Sequence, residues 1–296
     1  MTERAGDVSA AAQAGGLERF PLARRGFMMS GLISGLTLAT TTVEAQAIRT
    51  GADGLVAGEV QVPVADGTLP GYRARPEGAG PFPVVLVIEE IFGVHEYIKD
   101  VCRRLAALGY LAVAPELYAR IADLSKMTDA QQIVRDVIAR APDATVLSDL
   151  DSAAAWATGA AERGDAGRLG VMGFCRGGRD TWLYAEHNAC LRAAVAWYGP
   201  VDTPDTPIQP HSPLDLAGTL HCPLLGLYGG QDTSIEASDV ATAASRARAA
   251  GGTVEIVTYP DAPHGFHADY RPSYRKADAE AGWARALEWF RAHGVA

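Results

Sequence analysis

The sequence has no basic run. Its 26 Lys and Arg residues are outnumbered by 35 Asp and Glu, leaving a net charge of -9. A nucleic-acid backbone is a poor match for such a surface, so no nucleic-acid partner is expected. Cysteine is scarce: Cys102, Cys175, Cys190 and Cys222 are too few and too scattered for a disulfide-dense scaffold. No C-x-x-C pair or other zinc-ligand spacing occurs. Internal repeats and low-complexity linkers are missing from residues 48–296. What is present, 48% hydrophobic and 21% charged residues, is the balance of a soluble globular chain rather than a disordered, collagenous or polytopic membrane one. At about 150 residues per domain the length allows two domains, but α/β units often run to ~250 residues as one.

Residues 1–23 are rich in Ala and Gly, without a convincing apolar period. Arg24-Arg25-Gly26-Phe27-Met28 follows, and from Gly26 to Val43 runs an uncharged stretch in which Leu32, Ile33, Leu36 and Leu38 are diluted by six Ser/Thr and three Gly. A membrane-spanning helix needs ~20 strongly apolar residues, which these 18 are not. Small residues at Ala45 and Ala47 offer cleavage sites. The segment resembles a twin-arginine signal, with an uncleaved anchor or a tail as alternatives. The resemblance implies export of the folded chain by the twin-arginine machinery, a periplasmic or otherwise exported location, a mature chain beginning near Ile48, and no stable membrane insertion after cleavage.

From residue 55 onward short apolar runs alternate with helical patterns. Val84–Ile88, Tyr110–Ala114, Leu169–Met172, Ala193–Trp197, Leu224–Tyr228 and Val254–Thr258 read as strands covered on both faces of a parallel sheet. Val60–Val64 and Leu69–Arg75 around Asp66-Gly67 read as an opening antiparallel hairpin. Ile98, Val101, Cys102, Leu105 and Leu108 keep the 3.6-residue period, and Gly109 ends them as a C′ glycine. Ala153–Ala161, Gly177–His187, Glu236–Ala250 and Ala277–His293 are further helix candidates. Tyr118–Thr145 breaks the alternation. With Ile133, Val134, Val137 and Ile138 at helical spacing, it predicts a helical excursion over the C-terminal edge of the sheet. The expectation is one α/β domain over 48–296: a mostly parallel twisted sheet with helices on both faces.

The strongest chemical signal is Gly170-Val171-Met172-Gly173-Phe174-Cys175-Arg176-Gly177-Gly178. A strand enters and a helix leaves, the context that gives weight to a G-x-nucleophile-x-G elbow. Gly173 and Gly177 suit a turn too tight for a Cβ. The positive potential at the helix N-terminus favours a thiolate over a thiol, against the plainer possibility that Cys175 is a small buried hydrophobe. A thiolate needs an imidazole partner, and the imidazole needs an acid to hold its tautomer. Asp232 follows the Leu224–Tyr228 run, and His264 follows Val254–Thr258, placing both on the sheet edge where the elbow lies; Asp261 is the competing acid. His267 invites a metal, but no ligand cluster accompanies it. Past Val84–Ile88, Ile91 and Arg176 are candidates to supply the backbone N–H groups of an oxyanion hole. Of the adjacent acids there, Glu89 is expected to be a solvated loop charge.

Glu90-Ile91-Phe92-Gly93, Pro115-Glu116-Leu117-Tyr118, Gly173-Phe174-Cys175-Arg176-Gly177-Gly178, Gly230-Gln231-Asp232 and His264-Gly265-Phe266 occur in this order. Together they resemble the dienelactone hydrolase (carboxymethylenebutenolidase) family of the α/β-hydrolase superfamily over roughly residues 55–293. The resemblance implies a catalytic triad of Cys175, Asp232 and His264. It also implies that Glu90 meets the resting thiol and helps form the thiolate when substrate binds. It further implies a small lactone or ester substrate, a thioester intermediate, and neither cofactor nor metal. The chain departs from the family where substrate carboxylate is held by arginines: Ala268 stands four residues after the histidine, and Ala139 where a tyrosine belongs, with Arg135 nearby. Arg176, Arg179 and Arg271 are the candidates to compensate. Tyr118, Trp197 and Tyr198 are candidate pocket aromatics. A general carboxylesterase or peptidase on the same fold, and an exported non-catalytic binding or redox protein, are the alternatives.

Overall fold

The computed structural model describes residues 48–296, so the expected signal segment at 1–47 lies outside the described residues. The chain opens with β1 (Leu55–Val64) and β2 (Gly67–Pro76), antiparallel in register from Leu55 opposite Pro76 to Val64 opposite Gly67. Then come β3 (Phe82–Ile88), β4 (Leu111–Pro115), β5 (Gly164–Phe174), β6 (Ala193–Trp197), β7 (Leu224–Gly229) and β8 (Val254–Tyr259). They form one eight-stranded sheet in the order β1-β2-β4-β3-β5-β6-β7-β8. Only the β1–β2 and β2–β4 pairings are antiparallel; β3 to β8 run parallel.

Continuous apolar runs make this sheet because each must satisfy two cores. In β3, Val84, Leu86 and Ile88 face one core while Val85 and Val87 face the other, all fully buried. In β6, Ala194 and Ala196 alternate with Ala193, Val195 and Trp197 in the same way. Burying each larger aliphatic side chain stabilises the fold by roughly 1.5–3 kcal/mol, so a one-residue slip of any central strand costs several such contributions at once.

Helices cover both faces. One core is closed by α1 (Glu96–Ala107) and by the last helix, the other mainly by three helices from the middle of the chain. The α1 stripe Tyr97, Ile98, Val101, Cys102 and Leu105 is buried. The helix stops where expected: Gly109 has φ +100°, its N–H donates to Ala106 C=O, and Tyr110 N–H donates to Leu105 C=O, a Schellman arrangement.

The 118–145 excursion is helical as expected, in pieces: α2 (Ala130–Asp136) gives way at Val137 to a 3₁₀ turn, Ile138–Arg140. One expectation is corrected. The next helix, α3, spans Asp143–Ala157 rather than 153–161. Its first turns escaped the apolar period because they bury acids: Asp143 and Asp149 are both buried and matched by arginines from elsewhere in the fold. The remaining helices are α4 (Arg176–His187), the single turn α5 (Pro213–Leu216), α6 (Ala237–Ala249) and α7 (Lys276–Ala292). Among the described residues no helix is long and apolar enough to cross a membrane.

Candidate active site

β5 ends at Phe174, and α4 begins at Arg176, leaving Cys175 alone in the turn. Its backbone sits at φ +56°, ψ -116°, a conformation that strains a residue with a Cβ by about 1–3 kcal/mol. The turn is held by Cys175 N–H donating to Trp197 C=O at 3.0 Å and by Gly178 N–H donating to Cys175 C=O at 2.9 Å. The glycines have steric reasons. A Cβ on Gly173 would fall 2.2 Å from Gly177 O, and one on Gly177 would fall 2.4 Å from Ile88 O. Both are backbone contacts that no rotamer can relieve, so the close approach of α4 to β3 and β5 requires glycine.

The loops after β7 and β8 converge on this turn. His264 Nε2 lies 3.2 Å from Cys175 Sγ, and its Nδ1 lies 2.7 Å from Asp232 Oδ2. The other carboxylate oxygen of Asp232 accepts from the backbone N–H of Ser234 at 2.8 Å and from its hydroxyl at 2.5 Å. Ser234 was missed in the sequence, although Asp-x-Ser is the spacing of an Asx turn. All three side chains are shielded from water: Cys175 is 0% and His264 6% exposed. Burial alone would suppress the imidazolium, but the charges of Asp232 and Cys175 outweigh it and push His264 up to about 10. Burial likewise opposes ionisation of Asp232, while the His264 charge and the hydrogen bonds from His264 and Ser234 hold its carboxyl below the ordinary range. The arrangement therefore favours an imidazolium beside the Asp232 carboxylate. Asp261, the rival acid, is exposed.

The acids after β3 behave differently from expectation. Glu90 is not the partner of the resting thiol, which faces His264. Its Oε2 accepts from Arg271 Nη2 at 2.8 Å and from the Tyr270 hydroxyl, and His95 Nε2 lies 3.6 Å away. Burial would raise this carboxyl, yet Arg271, His95 and Tyr270 together lower it to about 2. The physical reason is that Arg271, itself buried at 3% exposure, brings a charge that the interior tolerates only beside a carboxylate. Glu89 is not a solvated charge either. It is 1% exposed, its Oε1 accepts from Leu117 N–H at 2.8 Å, and burial followed by the Glu116 charge raises it well above the carboxylate range. It ties the 116–118 backbone to the end of β3.

Ile91 and Arg176, the expected oxyanion donors, share the wall of one cavity, which Arg176 places next to the Cys175 turn. Arg176 is the first residue of α4, so its N–H has no intrahelical acceptor. Ile91 opens the turn that Gly93 N–H closes onto Glu90 C=O at 3.2 Å. Arg135 is far from this role: it is exposed and paired with its neighbour Asp136. Tyr118, Trp197 and Tyr198 are all fully buried. Tyr118 donates to Asp180 at 3.1 Å, Trp197 stacks on Phe174, and Tyr198 sets its ring edge-on to His264 at 5.2 Å between centroids. His267 lies among aromatic rings with Nδ1 2.7 Å from the Tyr97 hydroxyl, and burial, helped by Arg104, pushes it down to about 3. That is core packing with a satisfied hydrogen bond. Cys102, Cys175, Cys190 and Cys222 are all free thiols.

Comparison with known proteins finds relatives over most of the chain. Residues 69–294 match the model of the dienelactone hydrolase family. A protein of Methylorubrum extorquens bearing the name carboxymethylenebutenolidase is 53% identical over 93% of this chain and 94% of its own length. One of the same name from Escherichia coli K12 is 49% identical over 88% of this chain and 96% of its own. The crystal structure of a Klebsiella pneumoniae protein described as a dienelactone hydrolase superposes with a TM-score of 0.78 at 50% identity, covering 80% of this chain and 98% of that one.

Proposed function

This chain belongs to the dienelactone hydrolase family and is a hydrolase of lactones or esters, and we propose that Cys175 is its nucleophile and a thioester its intermediate. The observation that carries the proposal is the relay Sγ–Nε2 at 3.2 Å and Nδ1–Oδ2 at 2.7 Å, in which the buried imidazole is held protonated between sulfur and carboxylate. The Cys175 sulfur attacks the carbonyl carbon, a C–S bond forms, and the carbonyl electron pair moves onto oxygen. The N–H groups of Ile91 and Arg176 receive that oxyanion. Its collapse breaks the C–O bond, and His264 Nε2 gives its proton to the departing oxygen, which in a lactone stays tethered to the acyl group. Water then attacks the thioester with His264 as base, and the thiolate leaves. Every step uses residues of this chain.

The test is turnover of a small panel: an enol-lactone, an activated aryl ester and an unactivated alkyl ester. Mass spectrometry of the protein quenched during turnover provides the second readout. Cys175→Ala is expected to be inactive, and the wild-type chain to carry the acyl group on Cys175 in a hydroxylamine-labile bond. Acylation elsewhere, or full activity of Cys175→Ala, overturns the mechanism. Preference for the alkyl ester over the enol-lactone favours a general carboxylesterase.

The same proposal extends to location. Residues 1–47 act as a twin-arginine signal, so the folded enzyme works in the periplasm or beyond. Support comes from Arg24-Arg25, the weakly apolar stretch after them and the small residues at Ala45 and Ala47.

A further inference from the structure

Building on the hydrolase reading above, we infer that the cavity beside Cys175 is an acyl pocket selective for short, uncharged acyl groups, and that it rejects acyl groups ending in a carboxylate. The cavity has a volume of about 110 Å³ and is walled by Ile91, Val134, Ile138, Ala139, Pro200 and Pro204. Because Ile91 and Arg176 both lie on its wall, a carbonyl held by their N–H groups directs its acyl chain into this space. A space of this size suits a short acyl chain.

Two arginines also reach the wall, Arg176 and Arg179, and on sequence grounds either might have held a substrate anion. Both guanidinium charges are already compensated by carboxylates. Arg179 spends all five N–H groups: Nη1 and Nη2 on the two oxygens of Asp143, each at 2.9 Å, Nη1 also on Asp180 at 3.1 Å, Nη2 also on His211 C=O at 3.1 Å, and Nε on Thr203 at 3.2 Å. Arg176 donates through Nε to Asp180 at 3.2 Å, through Nη1 to Gln209 at 3.4 Å and through Nη2 to Asp143 at 3.3 Å. Two guanidinium charges thus meet two carboxylates, all four groups buried. A further carboxylate, Asp202, lies on the cavity wall itself.

Of the other cations near the thiol, the His264 imidazolium is matched by Asp232 and Arg271 by Glu90. A carboxylate carried into this space would lose its water, find no uncompensated cation and approach Asp202. Desolvating an ion without a partner is among the costliest events in a protein interior. A methyl group in the same place packs against the side chains of Ile91, Val134 and Ile138. Ala139 stands at the exposed rim of the cavity, in a position set by the 3₁₀ turn Ile138–Arg140, which Gln209 anchors by donating to Ile138 C=O at 2.8 Å and Ala141 C=O at 2.9 Å.

The test compares 4-nitrophenyl butyrate with the mono-4-nitrophenyl ester of succinic acid, whose acyl groups differ by a terminal methyl against a carboxylate. Each kcat/KM is referred to the uncatalysed rate. The expected result is a preference for butyrate of at least about 100-fold. Ala139→Phe, which narrows the cavity from its rim, is expected to lower the butyrate-to-acetate ratio of kcat/KM by roughly 10-fold or more, a change in ratio that a general loss of folding does not produce. Equal or better turnover of the succinate ester overturns the inference and leaves the hydrolase reading standing. No turnover of any ester by a chain whose Cys175 still reacts with iodoacetamide overturns both.

Discussion

Replacing Asp232 by Asn probes the buried relay where its electrostatics are largest. His264 stands at about 10 against an ordinary 6.5, a preference for imidazolium of roughly 5 kcal/mol. It is reached despite complete burial, so the raising interactions together exceed that figure, and Asp232 is first among them. The neutral amide removes this charge while keeping the shape. It can also turn an N–H toward Nδ1, moving the imidazole proton to Nε2 and opposing the transfer the first step needs. The expected loss in kcat/KM near neutral pH is on the order of 10²–10³-fold, below the ~10⁴ seen when a serine triad loses its acid, because sulfur is the better nucleophile. Alkylation of Cys175 by iodoacetamide at mildly acid pH should slow in parallel, since the thiolate loses its imidazolium. Asp261→Asn, on an exposed position of the neighbouring loop, should stay within about twofold of wild type. An Asp232→Asn enzyme with near-normal kcat/KM and alkylation rate, or an Asp261→Asn enzyme that loses both, refutes the relay as described.

Glu90→Gln leaves Arg271 buried without its carboxylate. Glu90 is lowered from 4.5 to about 2 in the folded chain, so its ionisation adds about 3 kcal/mol of stability above the unfolded value, lost as pH falls through the folded one. Denaturant titrations should therefore show a gap of that order between wild type and Glu90→Gln near neutral pH, shrinking between about pH 4.5 and pH 2; a gap independent of pH contradicts the pairing. Replacing Arg24 and Arg25 together by Lys is expected to abolish export, so that cell fractionation finds the full-length precursor in the cytoplasm, whereas unchanged periplasmic recovery rejects the twin-arginine assignment.

Much of this molecule is local enough to be written along the chain. Residues that alternate between two cores, as Val84–Ile88 do, must be apolar at every position, which is why the parallel strands stand out as uninterrupted runs. Gly173 and Gly177 are legible for a similar reason: backbone closeness within one turn leaves room for no other residue. Cys175, Asp232 and His264 follow strand ends of the same polarity, and parallel strands deliver their C-terminal loops to one edge. The pairings that decide charge were not legible. Glu90 and Arg271 are 181 residues apart, and Arg179 finds Asp143 across 36; no period or motif relates such positions. Asp143 and Asp149 disguised the start of α3 because an acid looks solvent-facing until its arginine is known. The sequence by itself determined the strand–helix alternation, the elbow and the strand ends that carry Cys175, Asp232 and His264, since each depends on neighbours a few residues away. Only the tertiary structure decided which buried charges cancel, because electrostatic compensation depends on distance through space and not along the chain.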